Sequence, residues 1–401
     1  MVTEAVPQLP TDPRDMKICF VCSEYPPGQH GGIGTMTQVL GRAFARHGHQ
    51  VRVVGVYPDS YDAPDFENDC GVEVWRLRER NYRLGWIRSR YELYQRVSEW
   101  VRGGLIDLVE VPDYQGWAAG WRRLAAPVIT RLHGSLTYFA SELHQSVDNT
   151  SYWLERASLR RADYACSVCR YTAEMTERVF KIPLSSSAIL YNPVEIPPPG
   201  EQPVRLRNRV IFSGTLTAKK GIISLIKAWP RVVGAARGPE LHIFGKDGRA
   251  PDGSSMREFL SSMLPNEMRA SVHFHGHVSR AELFEVYRTA GLAVFPSYAE
   301  AFAVAPLEAM ACGCATIVSK RGSGPELLTH GRDGLLVDPD KPEEIADAVV
   351  GVLRNPSLGQ KLGEAGRARI QEAFSVDPLV AQNAAFYEQC VREFRAKASL
   401  N

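Results

Sequence analysis

Residues 292–319 read LAVFPSYAEAFAVAPLEAMACGCATIVS. An apolar run, Leu292–Pro296, leads through a short loop to a helical stretch beginning near Pro306, and a second apolar run, Ala315–Ser319, follows. Neither run alternates apolar with polar residues, so each is expected to be a strand buried on both faces. Two such strands joined through a helix make a parallel βαβ unit.

The same pattern extends in both directions. Upstream of it, strands are expected at Arg209–Ser213, Glu240–Phe244 and Val272–His275, and downstream at Gly334–Val337, with helices at Ile223–Val233, Arg280–Ala290 and Glu343–Leu353. An earlier set comprises Lys17–Ser23, Val51–Val56, Val72–Leu77, Leu105–Val111, Val128–Leu132, Tyr164–Ser167 and Ser187–Tyr191, with helices at Thr35–His47 and Tyr171–Phe180. Between the sets lies NPVEIPPPGEQP, residues 192–203, whose three consecutive prolines mark a stiff linker. The chain is therefore expected to be α/β, with two doubly wound, Rossmann-like domains facing each other across a cleft. Its parts read as a tail (1–16), a first domain (17–195), a linker (196–204), a second domain (205–375) and a C-terminal helix (376–401) packing back on the first domain. Ligands of such sheets bind beyond the carboxyl ends of the strands.

The length of 401 residues suits two or three domains at roughly 150 residues each. A formal charge of +2 gives no global basic field for nucleic acid, so no nucleic-acid partner is expected. No apolar run reaches the roughly 18 residues of a membrane span, and the first residues lack the apolar segment of a signal peptide. With eight Cys and no export signal, the thiols are expected reduced and the location cytoplasmic. The pairs Cys19/Cys22 and Cys166/Cys169 have the spacing of half a four-thiolate zinc site each, but both fall in strand-like runs. Residues i and i+3 of a strand point to opposite faces, so buried thiols are the expectation.

Four clusters carry chemistry. Gly31, Gly32 and Gly34 precede a helix and would let backbone approach a ligand near free N–H groups. Counted from Gly32, the third glycine of a dinucleotide fingerprint is Thr37, so that motif is absent. His133 follows a strand and would face the cleft as an uncharged donor, or be satisfied by a loop carbonyl. Lys219 and Lys220 stand at a helix N-terminus, which is unfavourable unless an anion lies between them. Glu300 and Glu308 flank a loop whose backbone N–H groups, Phe302 to Ala305, suit a diphosphate, while the carboxylates suit vicinal hydroxyls.

These motifs resemble the glycosyltransferases of family 4, which have the GT-B fold. The two Glu separated by seven residues and followed by EAMACG (308–313) are that family's signature, and HGGIG, RHGHQVRVV, LHG, RRADYACSVCRYT, NPVE, KKG, FHGHVSRAEL and HGRDGLLVDPD fall in its order. The resemblance implies a retaining transferase using a nucleotide diphospho-sugar, with no cofactor and no catalytic metal. It implies catalytic roles for His133, Lys220 and Glu300. Donor contacts fall to Gly32, Lys219, Val278, Phe302, Ala303, Val304 and Glu308, with Glu300 on the sugar and Glu308 on the ribose. The acceptor would be a glycan, a lipid-linked sugar or a small molecule. A sugar phosphorylase, a nucleotide-sugar epimerase and a catalytically silent sugar-nucleotide binder remain alternatives.

Three features depart from the family pattern. Thr215 stands where an Arg usually pairs the diphosphate, with Lys219 as the substitute charge. Ala301 and Ala303 replace glycines around the loop phenylalanine, which would narrow the sugar pocket or forbid positive φ. Asp338-x-Asp340 imitates a metal motif of another fold and reads as a turn. Finally, residues 76–102 hold eight Arg, no Lys and three Glu with several aromatics. Ile87, Tyr91, Tyr94, Ser98 and Val101 recur at helical spacing, and Arg83, Arg88 and Arg90 are expected on an acceptor or anionic membrane surface, or on an ordinary solvated helix.

Overall fold

The computed structural model describes residues 15–28, 30–184, 187–197 and 205–399. The tail through residue 14 and residues 198–204 of the expected linker lie outside them. The first domain contains β1 (Lys17–Val21), β2 (Gln50–Tyr57), β3 (Phe66–Asp69), β4 (Val72–Arg78), β5 (Leu108–Pro112), β6 (Val128–Leu132), β7 (Tyr164–Ser167) and β8 (Ala188–Ile189) in the order β3-β4-β2-β1-β5-β6-β7-β8. The second contains β9 (Leu206–Ser213), β10 (Glu240–Phe244), β11 (Val272–Gly276), β12 (Ala290–Phe295), β13 (Ala315–Ser319) and β14 (Leu335–Val337) in the order β11-β10-β9-β12-β13-β14.

All pairings are parallel except β3 with β4. Helices cover both faces, and β5, β6 and β13 are buried at every residue, so they lack the regular polar face of a half-exposed strand, and the charged Glu110 of β5 and Arg131 of β6 are buried against each other. The strand β3, FEND, escaped the sequence reading because it has no apolar alternation. It is a four-residue edge held by its turn into β4 and by the Phe66 ring, which packs tilted against Trp75 with centroids 4.6 Å apart. Among the described residues no helix is long and apolar enough to cross a membrane.

The thiols follow the strand geometry. Cys19 and Cys22 belong to apolar clusters on different faces of the first sheet, and both are free. Burial pushes both thiols up to about 12.

The chain joins the domains by two adjacent crossings, where the Val194 N–H donates to the Phe374 carbonyl at 2.9 Å. Beyond the second crossing the helix Val376–Ser399 lies on the first domain. Its Tyr387 hydroxyl donates to Glu110 at 2.5 Å, and its Asn383 and Tyr387 accept from Arg131 at 2.5 and 3.0 Å. The domains also meet at the rim of the cleft. Cys169 Sγ and Thr172 Oγ1 each donate to the Ala301 carbonyl at 3.0 Å, and Glu326 accepts from the N–H groups of Arg170 and Tyr171 at 2.9 and 2.8 Å.

Candidate active site

The Lys-Lys-Gly turn places one lysine at the carboxyl end of the second sheet. Residues Ala218–Lys220 form one helical turn, and Gly221 leaves it with φ of 72° before the helix Ile222–Ala235. A Cβ at Gly221 would stand 1.8 Å from the Pro296 carbonyl oxygen, so only glycine lets this turn lie against the end of β12. Lys220 Nζ then donates to Glu300 Oε1 at 2.5 Å. Burial opposes ionisation of Glu300, but Lys220, Lys219 and a hydrogen bond from Ser297 outweigh it and hold the carboxyl below its usual range.

The second carboxylate meets a different environment. Glu308 lies in the helix Val304–Ala311, which starts two residues earlier than expected. Burial pushes its carboxyl above the usual range despite Arg280, whose Nε donates to Glu308 Oε1 at 2.6 Å. The same guanidinium donates to Glu195 at 2.6 Å, so one arginine links the interdomain crossing to the cavity floor. Arg280 lies within the RAEL stretch of a family motif, but its pairing with Glu195 across 85 residues has no local signal in the sequence.

A cavity of about 990 Å³ separates the domains at these strand ends. On its wall are Glu300 and Lys220, and also Glu308, Val278, Phe302, Ala303, Val304 and Gly32. Ala303 caps the helix Val304–Ala311 without a side-chain acceptor, so the first helical N–H groups remain for a ligand. The glycine loop divides its work. A Cβ on Gly32 would meet nothing within 4 Å, whereas one on Gly34 would stand 2.0 Å from the Glu24 carbonyl oxygen. Gly34 thus serves the protein's own packing. Its N–H, in the first turn of the helix Gly32–Arg46, is already taken by the Glu24 carboxylate at 2.8 Å, a partner the sequence reading missed.

Other expected residues lie elsewhere. Lys219 is not on the wall: its Nζ sits 3.8 Å from the centre of the Phe139 ring, in a cation–π contact at the domain seam. Its charge still acts on Glu300, while Thr215, where the family's arginine would stand, lines the cavity. Lys246 and Arg321 are also on the wall. His133 follows β6 but is also absent from the wall, and it is only 9% exposed. Burial, then the Arg131 charge, lowers its pKa well below the ordinary value, so the ring is neutral.

The loop alanines cost no backbone strain. Ala303 has φ of −74°, and the Ala301 methyl packs toward Gly134 at the seam rather than into the cavity. Asp338 pairs with Lys320 at 3.2 Å and Asp340 with Arg321, so both carboxylates of the loop after β14 have cationic partners.

The Arg-rich helix Gly85–Arg102 buries only part of the expected stripe: Ser98 is buried and Tyr94 and Val101 pack on the core. Ser89, Leu93, Val97 and Trp100 point inward, while Ile87 and Tyr91 are about half exposed. Arg90 turns inward too, donating to the carbonyls of Gly116 and Gln115 at 2.8 and 2.5 Å over the Trp117 ring. Arg83 and Arg88 remain at the surface, Arg88 paired with Glu92 at 3.0 Å.

The backbone of the His133-Gly134 turn is held by Asp113, which accepts both N–H groups at 2.8 and 3.2 Å. Asp113 is wholly buried, and burial outweighs these bonds, pushing its carboxyl up to about 7. An unfolded Asp titrates near about 3.9, so the folded chain holds the extra proton between there and about 7. This group's stabilisation is therefore full below about pH 4 and lost as pH rises through about 7. Melting temperatures of wild type and Asp113→Asn, taken at about pH 6 and about pH 8, should show the wild type losing ground to the variant at the higher pH. A pH-independent difference would refute the assignment.

Comparison with known proteins agrees with this architecture. Residues 31–192 match the family model described as Glycosyl transferase 4-like domain, and residues 201–369 that described as Glycosyl transferases group 1. The chain is 26% identical over 393 residues to an uncharacterized glycosyltransferase of Methanocaldococcus jannaschii, covering 93% of this chain and 98% of that one. It is 25% identical over 406 residues to the glycogen synthase of Mycobacterium tuberculosis, covering 93% and 94%. Among solved structures, sucrose-phosphate synthase from Thermosynechococcus elongatus superimposes with a TM-score of 0.78 at 21% identity, over 93% of this chain and 98% of that one. The Anabaena protein HepE, solved in complex with UDP and glucose, gives 0.73 at 17% identity, over 93% and 100%. With two parallel-sheet domains, the glycine loop and the paired glutamates all in place, the chain belongs to the family 4 type of glycosyltransferases and has the GT-B fold.

Proposed function

We propose that this protein moves a sugar from a nucleotide diphospho-sugar to a glycan, lipid-linked or small-molecule acceptor, with retention at the anomeric carbon and no metal ion in the reaction. The observation that carries the reading is the division of the cavity wall. Lys220 and the open N-terminus of the helix Val304–Ala311 supply positive charge for a diphosphate, Glu300 beside them is held ionised for sugar hydroxyls, and Glu308 stands against Arg280 where a ribose would rest. Lys246 and Arg321 also reach this wall, Arg321 while paired with Asp340. The UDP and glucose bound by HepE are in keeping with a donor of this class. In the reaction we propose, the acceptor attacks the face that the nucleotide leaves and the departing phosphate takes the acceptor's proton. The enzyme contributes positioning and charge stabilisation.

Incubation with a panel of nucleotide-sugars, following nucleotide release with and without acceptors, tests this reading. A transferase releases nucleotide in an acceptor-dependent way. A phosphorylase requires inorganic phosphate, an epimerase releases none, and a silent binder consumes no donor. Glu300→Ala should lose about 1.5–3 kcal/mol of sugar-specific stabilisation, read in kcat/KM, while nucleoside diphosphate binding is nearly unchanged. Full transfer activity in that variant would remove Glu300 from the donor site.

We further propose a peripheral contact with the inner face of the cytoplasmic membrane through the start of the Arg-rich helix. Tyr82, Leu84, Trp86, Ile87 and Tyr91 are all at least 41% exposed there, beside Arg83 and Arg88. Anionic vesicles should bind the protein at low salt and release it at high salt, since each Arg near such a surface contributes about 1 kcal/mol within a screening length of about 8 Å. Arg83→Gln with Trp86→Ser should abolish the binding. If wild-type protein ignores anionic vesicles at low salt, the membrane contact is refuted.

A further inference from the structure

Three histidines and a glutamate gather on one face of the second sheet, and none of them lines the donor cavity. In the parallel register, His242 of β10 stands directly opposite His273 of β11. Neighbouring strands lie about 4.8 Å apart and alternate residues share a face, so Glu240 and His275, each two positions along, join the same side. The side chains converge. The ligating atoms of Glu240, His242 and His273 all lie within 4.8 Å of one another. His242 Nε2 is 3.2 Å from Glu240 Oε2, and His242 Nδ1 is 2.9 Å from His275 Nε2. The rings of His242 and His275 stack at 5.1 Å with 9° between their planes, and His275 stacks in turn on Phe244, which lines the cavity.

We propose that Glu240, His242 and His273 bind one divalent transition-metal ion of the zinc class, with His275 orienting the ring of His242. Two imidazole nitrogens and a carboxylate oxygen suit zinc and its neighbours, whereas magnesium and calcium favour all-oxygen sets. Ligands about 2.0–2.1 Å from a tetrahedral zinc stand about 3.4 Å from each other, close to the separation already present between His242 and Glu240. On binding, the ion takes the Nε2 lone pair of His242, and the ring's single proton resides on Nδ1. From there it donates to His275 Nε2, whose own proton moves to Nδ1, so no proton is lost from the neutral rings. This is how metal-bound imidazoles are usually steered.

The position gives the ion a structural task. β11 is the edge strand of its sheet, and its continuation carries His277, Val278 and Arg280 on the cavity wall. An ion joining β10 to β11 fastens that edge without entering the reaction.

The test uses the full chain without an affinity tag, stripped with chelator, and carrying Cys70→Ser to remove the exposed thiol. Zinc alone is titrated by calorimetry, and cobalt(II) alone is followed by visible absorption. One ion per chain, a tetrahedral cobalt spectrum and a higher melting temperature with zinc are expected. His242 is buried and its replacement could unfold the sheet, so the deciding variants are His273→Asn and Glu240→Gln, at partly exposed positions. Each should weaken zinc binding at least about tenfold while leaving the metal-free melting temperature unchanged, and His275→Phe should weaken it by about tenfold through the lost orienting contact. Absence of stoichiometric binding in the wild type, or wild-type affinity in both His273→Asn and Glu240→Gln, would overturn the site.

Discussion

Lys220→Ala is expected to slow sugar transfer by roughly 10²–10³-fold, the usual loss when one positioned stabiliser of developing charge is removed. The ammonium lies on the cavity wall 2.5 Å from Glu300, where a leaving diphosphate would gain negative charge. Two effects follow from its loss. A diphosphate bound as proposed would lose the Lys220 charge, and Glu300 loses its strongest charge partner, so burial then opposes its ionisation with less resistance. Binding of a nucleoside diphosphate should weaken far more than binding of the nucleoside, because in the proposed binding mode this lysine faces the diphosphate and not the nucleoside. Lys220→Arg should recover part of the rate by restoring charge. Thr215→Arg should tighten diphosphate binding, since Thr215 already faces the cavity and Lys219 is committed to Phe139. Equal losses for diphosphate and nucleoside, or an unchanged kcat, would place Lys220 outside the chemistry.

Arg131→Met should destabilise the fold by about 3–5 kcal/mol, because it leaves a buried carboxylate without its counter-charge. Arg131 and Glu110 have side chains 1% and 4% exposed, joined by two hydrogen bonds of 2.9 Å on neighbouring strands β5 and β6. The same guanidinium donates to Asn383 and Tyr387, so it also fastens the C-terminal helix to the first domain. Urea unfolding of the single variant should move well below wild type. The double variant Arg131→Met, Glu110→Leu should regain much of the loss, because replacing a buried pair with packed apolar groups is often nearly neutral. Wild-type behaviour in the single variant, or a double variant no better than the single, would refute the account.

The sequence by itself determined the strands and their order of appearance. Periodicity and burial are local properties, and a run such as VITRL between helices has few alternatives to a buried parallel strand. It also determined the family, because the paired glutamates, EAMACG and the glycine loop keep their spacing whatever surrounds them. Side-chain destinations were decided only by tertiary structure. Lys219 and Lys220 are neighbours of one chemical type, yet one sits on Phe139 of the first domain and the other reaches Glu300. The helix Gly85–Arg102 carries two overlapping apolar stripes, and which is buried depends on the sheet it meets: Leu93 and Val97 go inward, Ile87 and Tyr91 outward. Arg280 reads as one more polar residue at a helix start until Glu195 and Glu308, 85 and 28 positions away, close around it. Helix and strand arise from interactions within a few residues, whereas the partner of a charge is whatever the folded chain brings within about 3 Å of it, and no short stretch of sequence contains that information.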